Sequence, residues 1–189
     1  MKFFLLTVLL FPFSTFNSSP GSAEGIVSSL FLQYDTFVND CLGQNEEILP
    51  SATTSSMNMS TVEAGFHSFA KANQLAYDEG LLLKLESELA ALSQLLKEKS
   101  DQKALIKTTI QKQISQQKAG IPLTKADEEN CGSKMCCLKK YDLLYQDIKL
   151  DFFLSLLEAK NLGCTTCLPI AINKLLAGNK AFYSCVGSQ

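Results

Sequence analysis

The chain contains no arginine and no tryptophan, and a single histidine, His67. Without arginine it lacks the planar, bidentate fork that grips phosphates and reads base edges. Its formal net charge of −2 gives it no electrostatic hold on a polyanion either. The composition therefore argues against a nucleic-acid partner. One histidine leaves little for acid–base catalysis, and G-x-S-x-G, H-E-x-x-H, the phosphate-binding P-loop and G-x-G-x-x-G are all missing. Paired carboxylates occur only in polar runs such as Glu46-Glu47 and Asp127-Glu128-Glu129. His67 follows Glu63 by one helical turn, the spacing of an ordinary surface pair. These absences predict neither an enzyme nor a bound cofactor or metal.

Long apolar runs are missing too, outside the amino terminus. There Lys2 precedes F-F-L-L-T-V-L-L-F-P-F, an apolar core too short to span a bilayer and broken by Pro12. The polar stretch that follows ends in small residues, Gly21 and Ala23, so residues 1–23 read as a signal peptide. Its removal takes Lys2 and no acidic residue, which moves the net charge to −3. The expected product is one secreted, extracellular helical domain over 24–189, long enough to bury a core of its own.

What the sequence does have is helical periodicity. Ile26, Val27, Leu30, Phe31, Tyr34, Phe37, Val38 and Cys41 form one stripe, with Gly43 as the stop. A flexible polar loop, 43–60, carries Asn58-Met59-Ser60, a glycosylation sequon at Asn58. A capping pattern around Ser60 to Glu63 opens the next helix, which Gly80 interrupts. From Leu82 the apolar spacing becomes a heptad: Leu82, Leu85, Leu89, Leu92 and Leu96. Such a seam predicts either packing inside a bundle or a short homotypic coiled coil. Past a turn near Ser100-Asp101, Leu105, Ile106, Ile110 and Ile114 keep a narrow stripe on a lysine- and glutamine-covered helix. That face is too narrow for a membrane-surface role. Ala119-Gly120-Ile121-Pro122 ends this helix, and Thr124 with Asp127 caps a short acidic turn. The expected helices are 26–42, 61–98, 102–118, 134–160 and 166–184, an all-α bundle of four to five helices.

Cysteine usage shapes the carboxyl-terminal part. Seven cysteines are candidates for disulfides: Cys41, Cys131, Cys136, Cys137, Cys164, Cys167 and Cys185. In a secreted chain they oxidise, in preference to a zinc site built from Cys131, Cys136, Cys137, Cys164 and Cys167. Helices on either side of Asn161-Leu162-Gly163 form an antiparallel hairpin. Cys137 lies 24 residues before the turn and Cys185 lies 22 after it. At about 1.5 Å per residue these arms match, so Cys185 is expected to bond Cys136 or Cys137. The adjacent cysteines Cys136 and Cys137 reach different elements, because bridge geometry disfavours their pairing. Cys41 is expected to reach Cys164 or Cys167, and Cys131 is the least constrained of the seven. Cys164-Thr165-Thr166-Cys167 has the redox spacing C-x-x-C, but no strand-like alternation precedes it. An odd count leaves one cysteine over, which admits a disulfide-linked homodimer.

The expected function is that of a secreted, non-enzymatic helical protein acting on a protein partner as a ligand, effector or structural factor. The alternative is an extracellular carrier of hydrophobic small molecules or lipids. A densely filled core with exposed apolar side chains favours the first, and a large internal cavity favours the second.

Overall fold

The computed structural model describes residues 21–45, 65–125, 127, 131–159, 164 and 166–188. Residues 1–20, the loop containing Asn58, Glu63 and the Asn161–Gly163 turn lie outside the described residues. Those described form an all-helical bundle: α1 (Ala23–Gln44), α2 (Gly65–Ala72), α3 (Glu79–Glu98), α4 (Gln102–Ala119), α5 (Lys134–Glu158) and α6 (Cys167–Gly187).

α1 is the central element, packing against α3, α4 and α6, while α4 lies on α5, α5 on α6, and α2 on α6. Its apolar stripe is what makes this possible. Val27, Leu30, Phe31, Tyr34, Phe37, Val38, Cys41 and Leu42 are all buried. Their rings are the filling of the core. Phe31 meets Phe153 at 5.1 Å between centroids, Tyr34 meets Phe152 at 4.9 Å, and Phe37 meets Phe66 at 5.2 Å. Aromatic pairs of this kind contribute about 0.5–1.5 kcal/mol each beyond the area they bury.

α1 starts where Ser22 accepts a hydrogen bond from the Gly25 N–H. It does not stop at Gly43. It runs to Gln44, and Asn45, fully buried, ends it. The Asn45 side-chain amide donates to the Cys41 and Ala76 carbonyls, both at 2.6 Å, and its Oδ1 accepts from the Ala76 N–H at 2.9 Å. One side chain thus satisfies both backbone groups of Ala76, as a neighbouring strand would, and fixes the α2–α3 connection to the end of α1.

That connection also divides the expected helix 61–98 at a different place. The break lies at 73–78, not at Gly80. Gln74 takes a left-handed φ of 55°, Leu75 N–H bonds back to the Ala70 carbonyl, and Asp78 caps α3 by accepting from the Leu81 N–H. Gly80 sits inside the first turn of α3. An aspartate cap sets the start of a helix more strongly than a glycine within it sets an end. The Asp78 N–H also donates to Asp40 near the end of α1, so α3 runs back along α1.

The leucine seam of α3 packs within the chain. Leu82, Leu85 and Leu92 are buried, and Leu89, Leu95 and Leu96 lie half-buried against the core. On α4, Ile106, Ile110 and Ile114 are buried as expected, but Leu105 points outward. The turn before α4 falls at 99–101, and Thr124 and Asp127 cap each other reciprocally.

The C-terminal hairpin is antiparallel and stapled. Cys137 bonds Cys185, Tyr141 stacks on Phe182 at 5.6 Å, and Lys174 pairs with Asp151. Gly178 lies where the arms come closest. A Cβ there would sit 2.6 Å from a Leu144 methyl. The missing Cβ lets Leu144 seat against the α6 backbone.

Substitution separates the seam from its surroundings. Leu92→Ala, at a site 2% exposed, should cost about 2–5 kcal/mol. Leu83→Ala on the outer face of the same helix, 60% exposed, should stay within about 0.5 kcal/mol. Equal effects in chemical denaturation would mean that α3 does not dock by this seam.

Candidate functional site

Two clusters of reactive side chains stand out, one in the core and one at the open end of the hairpin. The core cluster centres on Lys149, which sits in the apolar stretch of α5 and is only 1% exposed. Its ammonium donates to Asp35 Oδ2 of α1 at 2.8 Å and to Gln117 Oε1 of α4 at 3.4 Å. It also lies 4.3 Å from the centroid of the Phe31 ring, within cation–π range. The Tyr145 hydroxyl, one turn earlier on α5, donates to Asp35 Oδ1 at 2.9 Å. Both oxygens of one carboxylate are therefore engaged, and three helices meet on it.

Electrostatics here follow from burial. Desolvation pushes the Lys149 ammonium below its ordinary value, while the charge and hydrogen bond of Asp35 pull it back up. Tyr145 is pushed well up, by burial first and then by the Asp35 charge. Tyr34, beside it, is raised mainly by burial. The Tyr34 hydroxyl and Gln146 Oε1 are buried with no hydrogen-bond partner among the described residues. A lysine so enclosed, paired and stacked is sealed from a substrate, and its geometry is that of a structural clamp.

The second cluster gathers four cysteines. Cys131 bonds Cys136, Cys137 bonds Cys185, and the sulfurs of Cys131, Cys137 and Cys185 all lie within 4.8 Å of one another. The expected staple to Cys185 is present, through Cys137, and the adjacent cysteines reach different partners. Ser133 caps α5 here by accepting from the Cys136 N–H, and Cys136 Sγ lies 3.5 Å from the Asp127 carbonyl oxygen.

The expected bridge from Cys41 to Cys164 or Cys167 is not formed. Cys164 and Cys167 bond each other, with Cα atoms 5.2 Å apart, and Cys41 is the free thiol. Cys41 is fully buried beside Asn45, and burial pushes its thiol up to about 12. The five cysteines of a conceivable zinc site are also divided between the two ends of α5, some 20 residues apart in the helix or about 30 Å. His67 accompanies Tyr77, with Nδ1 2.7 Å from the hydroxyl oxygen and the rings 5.7 Å apart.

Sequence reasoning missed the Lys149 cluster and the Asn45 clamp. The one available signal for the first was a lysine set inside L-D-F-F-L-S-L-L's apolar approach, I-K-L, where a helix is otherwise apolar on nearly every side. No family model, no curated protein and no solved structure matches this chain.

The buried phenols and thiol predict alkaline instability. Above pH 9 to 10 the unfolded chain loses protons from Cys41, Tyr34, Tyr141 and Tyr145, which the folded chain retains because all four are raised by burial. Stability from these groups is complete below their unfolded values and is lost as pH rises. Lys149 acts in the opposite sense, since its lowered value adds stability as pH climbs towards 10.5, but it contributes one proton against four. Denaturant unfolding should show stability falling steeply above about pH 10. A flat or rising curve between pH 9 and 11 would contradict the burial of these groups.

Proposed function

We propose that the chain is a secreted helical protein that binds another protein non-covalently through the stapled end of its C-terminal hairpin. One observation carries this reading. Between Cys137 and Ile148 every α5 residue is half-buried or exposed, and the same holds of α6 after Asn179. Beyond Tyr145, which packs on the core, the outer end of the hairpin is a pair of helices only partly covered by the rest of the described chain. It carries half-buried Leu138, Tyr141, Phe182 and Val186, and exposed Met135 and Tyr183 at 56% and 42%. Aromatic residues and methionine are the side chains enriched at protein interfaces. The Cys137–Cys185 bridge, the Tyr141–Phe182 stack and the Leu144–Gly178 contact hold this end in shape before any partner arrives. Preorganisation of that kind reduces the ordering cost of association.

Export is supported by the amino-terminal signal pattern and by three disulfides, which persist in oxidising compartments. No helix among the described residues is long and apolar enough to cross a membrane. The leftover cysteine, Cys41, is buried, which removes the ground for a disulfide-linked dimer through it. A lipid carrier has less to stand on. Where a ligand would lie between α1 and α5, the rings of Phe31, Tyr34, Phe152 and Phe153 meet at 4.9–5.4 Å.

Site-specific photo-crosslinking in a secretory host tests the reading. A crosslinker at Met135 or Tyr183 should capture one defined protein, and a crosslinker at Leu83 should not. Mass spectrometry of the same secreted chain should show about 23 residues removed and glycan on Asn58. Equal capture from Leu83, or none from the hairpin end, would refute the binding surface. Retention of Lys2 would refute export.

A further inference from the structure

The three bridges differ in what they hold. Cys137–Cys185 links residues 48 apart, whereas Cys131–Cys136 and Cys164–Cys167 link residues 5 and 3 apart. A cross-link restrains the unfolded chain more as its loop lengthens. The C-x-x-C bridge therefore adds least to the fold, and its two cysteines are already tied locally. The Cys167 N–H donates to the Cys164 carbonyl at 3.1 Å.

Its surroundings suit exchange chemistry. Cys167 is the first residue of α6 and is buried, while Cys164, just outside the helix, is only partly buried. One sulfur is thus reachable and the other sheltered at the positive end of a 21-residue helix. α6 has no acidic residue along its length, only Lys174 and Lys180, and Thr166 makes no side-chain cap bond. Glu158, at the end of α5, is paired with Lys107. A thiolate formed here sits at the positive end of α6 without a competing side-chain cap on its own helix. The Thr166 hydroxyl also lies 3.5 Å from Cys164 Sγ, positioned to donate to it. The other short bridge differs, because Ser133 already fills the start of α5.

We propose that Cys164–Cys167 is a redox-active disulfide that exchanges with dithiols of other proteins or with small thiols outside the cell. A substrate thiolate attacks Cys164 Sγ, forming a mixed disulfide and breaking the Cys164–Cys167 bond, so that Cys167 leaves as a thiolate. A second substrate thiolate attacks the substrate sulfur of that mixed disulfide and releases Cys164. The substrate dithiol becomes a disulfide, and its two electrons and two protons end on Cys164 and Cys167. With the pair reduced, the same steps in reverse reduce a substrate disulfide.

The test is a glutathione titration of the full chain, quenched in acid, alkylated and read by mass spectrometry at each cysteine. Cys164 and Cys167 should be half-reduced at a glutathione ratio roughly 100-fold less reducing than Cys137 and Cys185 require, with the helical circular dichroism unchanged. Opening of all bridges together, or of Cys164–Cys167 last, would overturn the proposal. Single variants check the direction of attack. Cys167→Ser should accumulate a mixed disulfide with glutathione at Cys164, whereas Cys164→Ser should take up at least ~10-fold less at the sheltered Cys167. Equal uptake by both variants would also overturn it. The wild-type titration decides the matter even where a variant folds poorly.

Discussion

Lys149 keeps a charge in the interior of a helical bundle, and the arrangement of three helices follows from what that charge needs. An ammonium group taken out of water costs several kcal/mol unless it is paired and hydrogen-bonded. Its carboxylate comes from Asp35 on α1 and its third contact from Gln117 on α4. Tyr145 occupies the remaining oxygen of Asp35, and the Phe31 ring covers the ammonium. Slippage of α5 against α1 by one helical turn would strand the ammonium, the carboxylate and the phenol together. The apolar contacts around them tolerate small shifts, but this cluster does not. It gives the aromatic packing of Phe31, Tyr34, Phe152 and Phe153 a single register.

Away from that cluster the molecule divides into parts with separate tasks. α1, α3, α4 and the inner halves of α5 and α6 bury the apolar surface. The Asn45 amide locks the α2–α3 connection to this core. At the outer end of the hairpin, core burial gives way to covalent restraint by Cys137–Cys185 and to the Gly178–Leu144 approach. At its inner end sits the C-x-x-C bridge, which the fold needs least. The proposed binding surface and the proposed exchange site lie at opposite ends of one hairpin.

Much of the architecture was legible in the sequence because it rests on local patterns. The α1 stripe, the reversal at 99–101, the Thr124–Asp127 cap and the match of arm lengths that places Cys185 beside Cys136 or Cys137 all follow from spacing alone. What failed depended on partners distant in the chain. The end of the first helix is expected to bring Cys41 to Cys164 or Cys167, but spacing does not show that its side chain turns towards Asn45. Sequence points to Gly80 as the break because a glycine is visible there, whereas the break at 73–78 rests on a contact between Ala76 and Asn45 that spans 31 residues. Lys149 and Asp35 are 114 residues apart. Each looks like an ordinary polar residue until the helices are set side by side.

The most direct test of the register claim is a double-mutant cycle on this pair, using Asp35→Asn, which keeps an acceptor for Tyr145, and Lys149→Met. Asp35→Asn alone leaves a buried, unpaired ammonium and should cost about 3–5 kcal/mol in chemical denaturation. Adding Lys149→Met should restore at least about 2 kcal/mol of that loss, a coupling far outside the additivity of independent sites. Additive effects within about 0.5 kcal/mol would show that the ion pair does not set the packing of α1, α4 and α5.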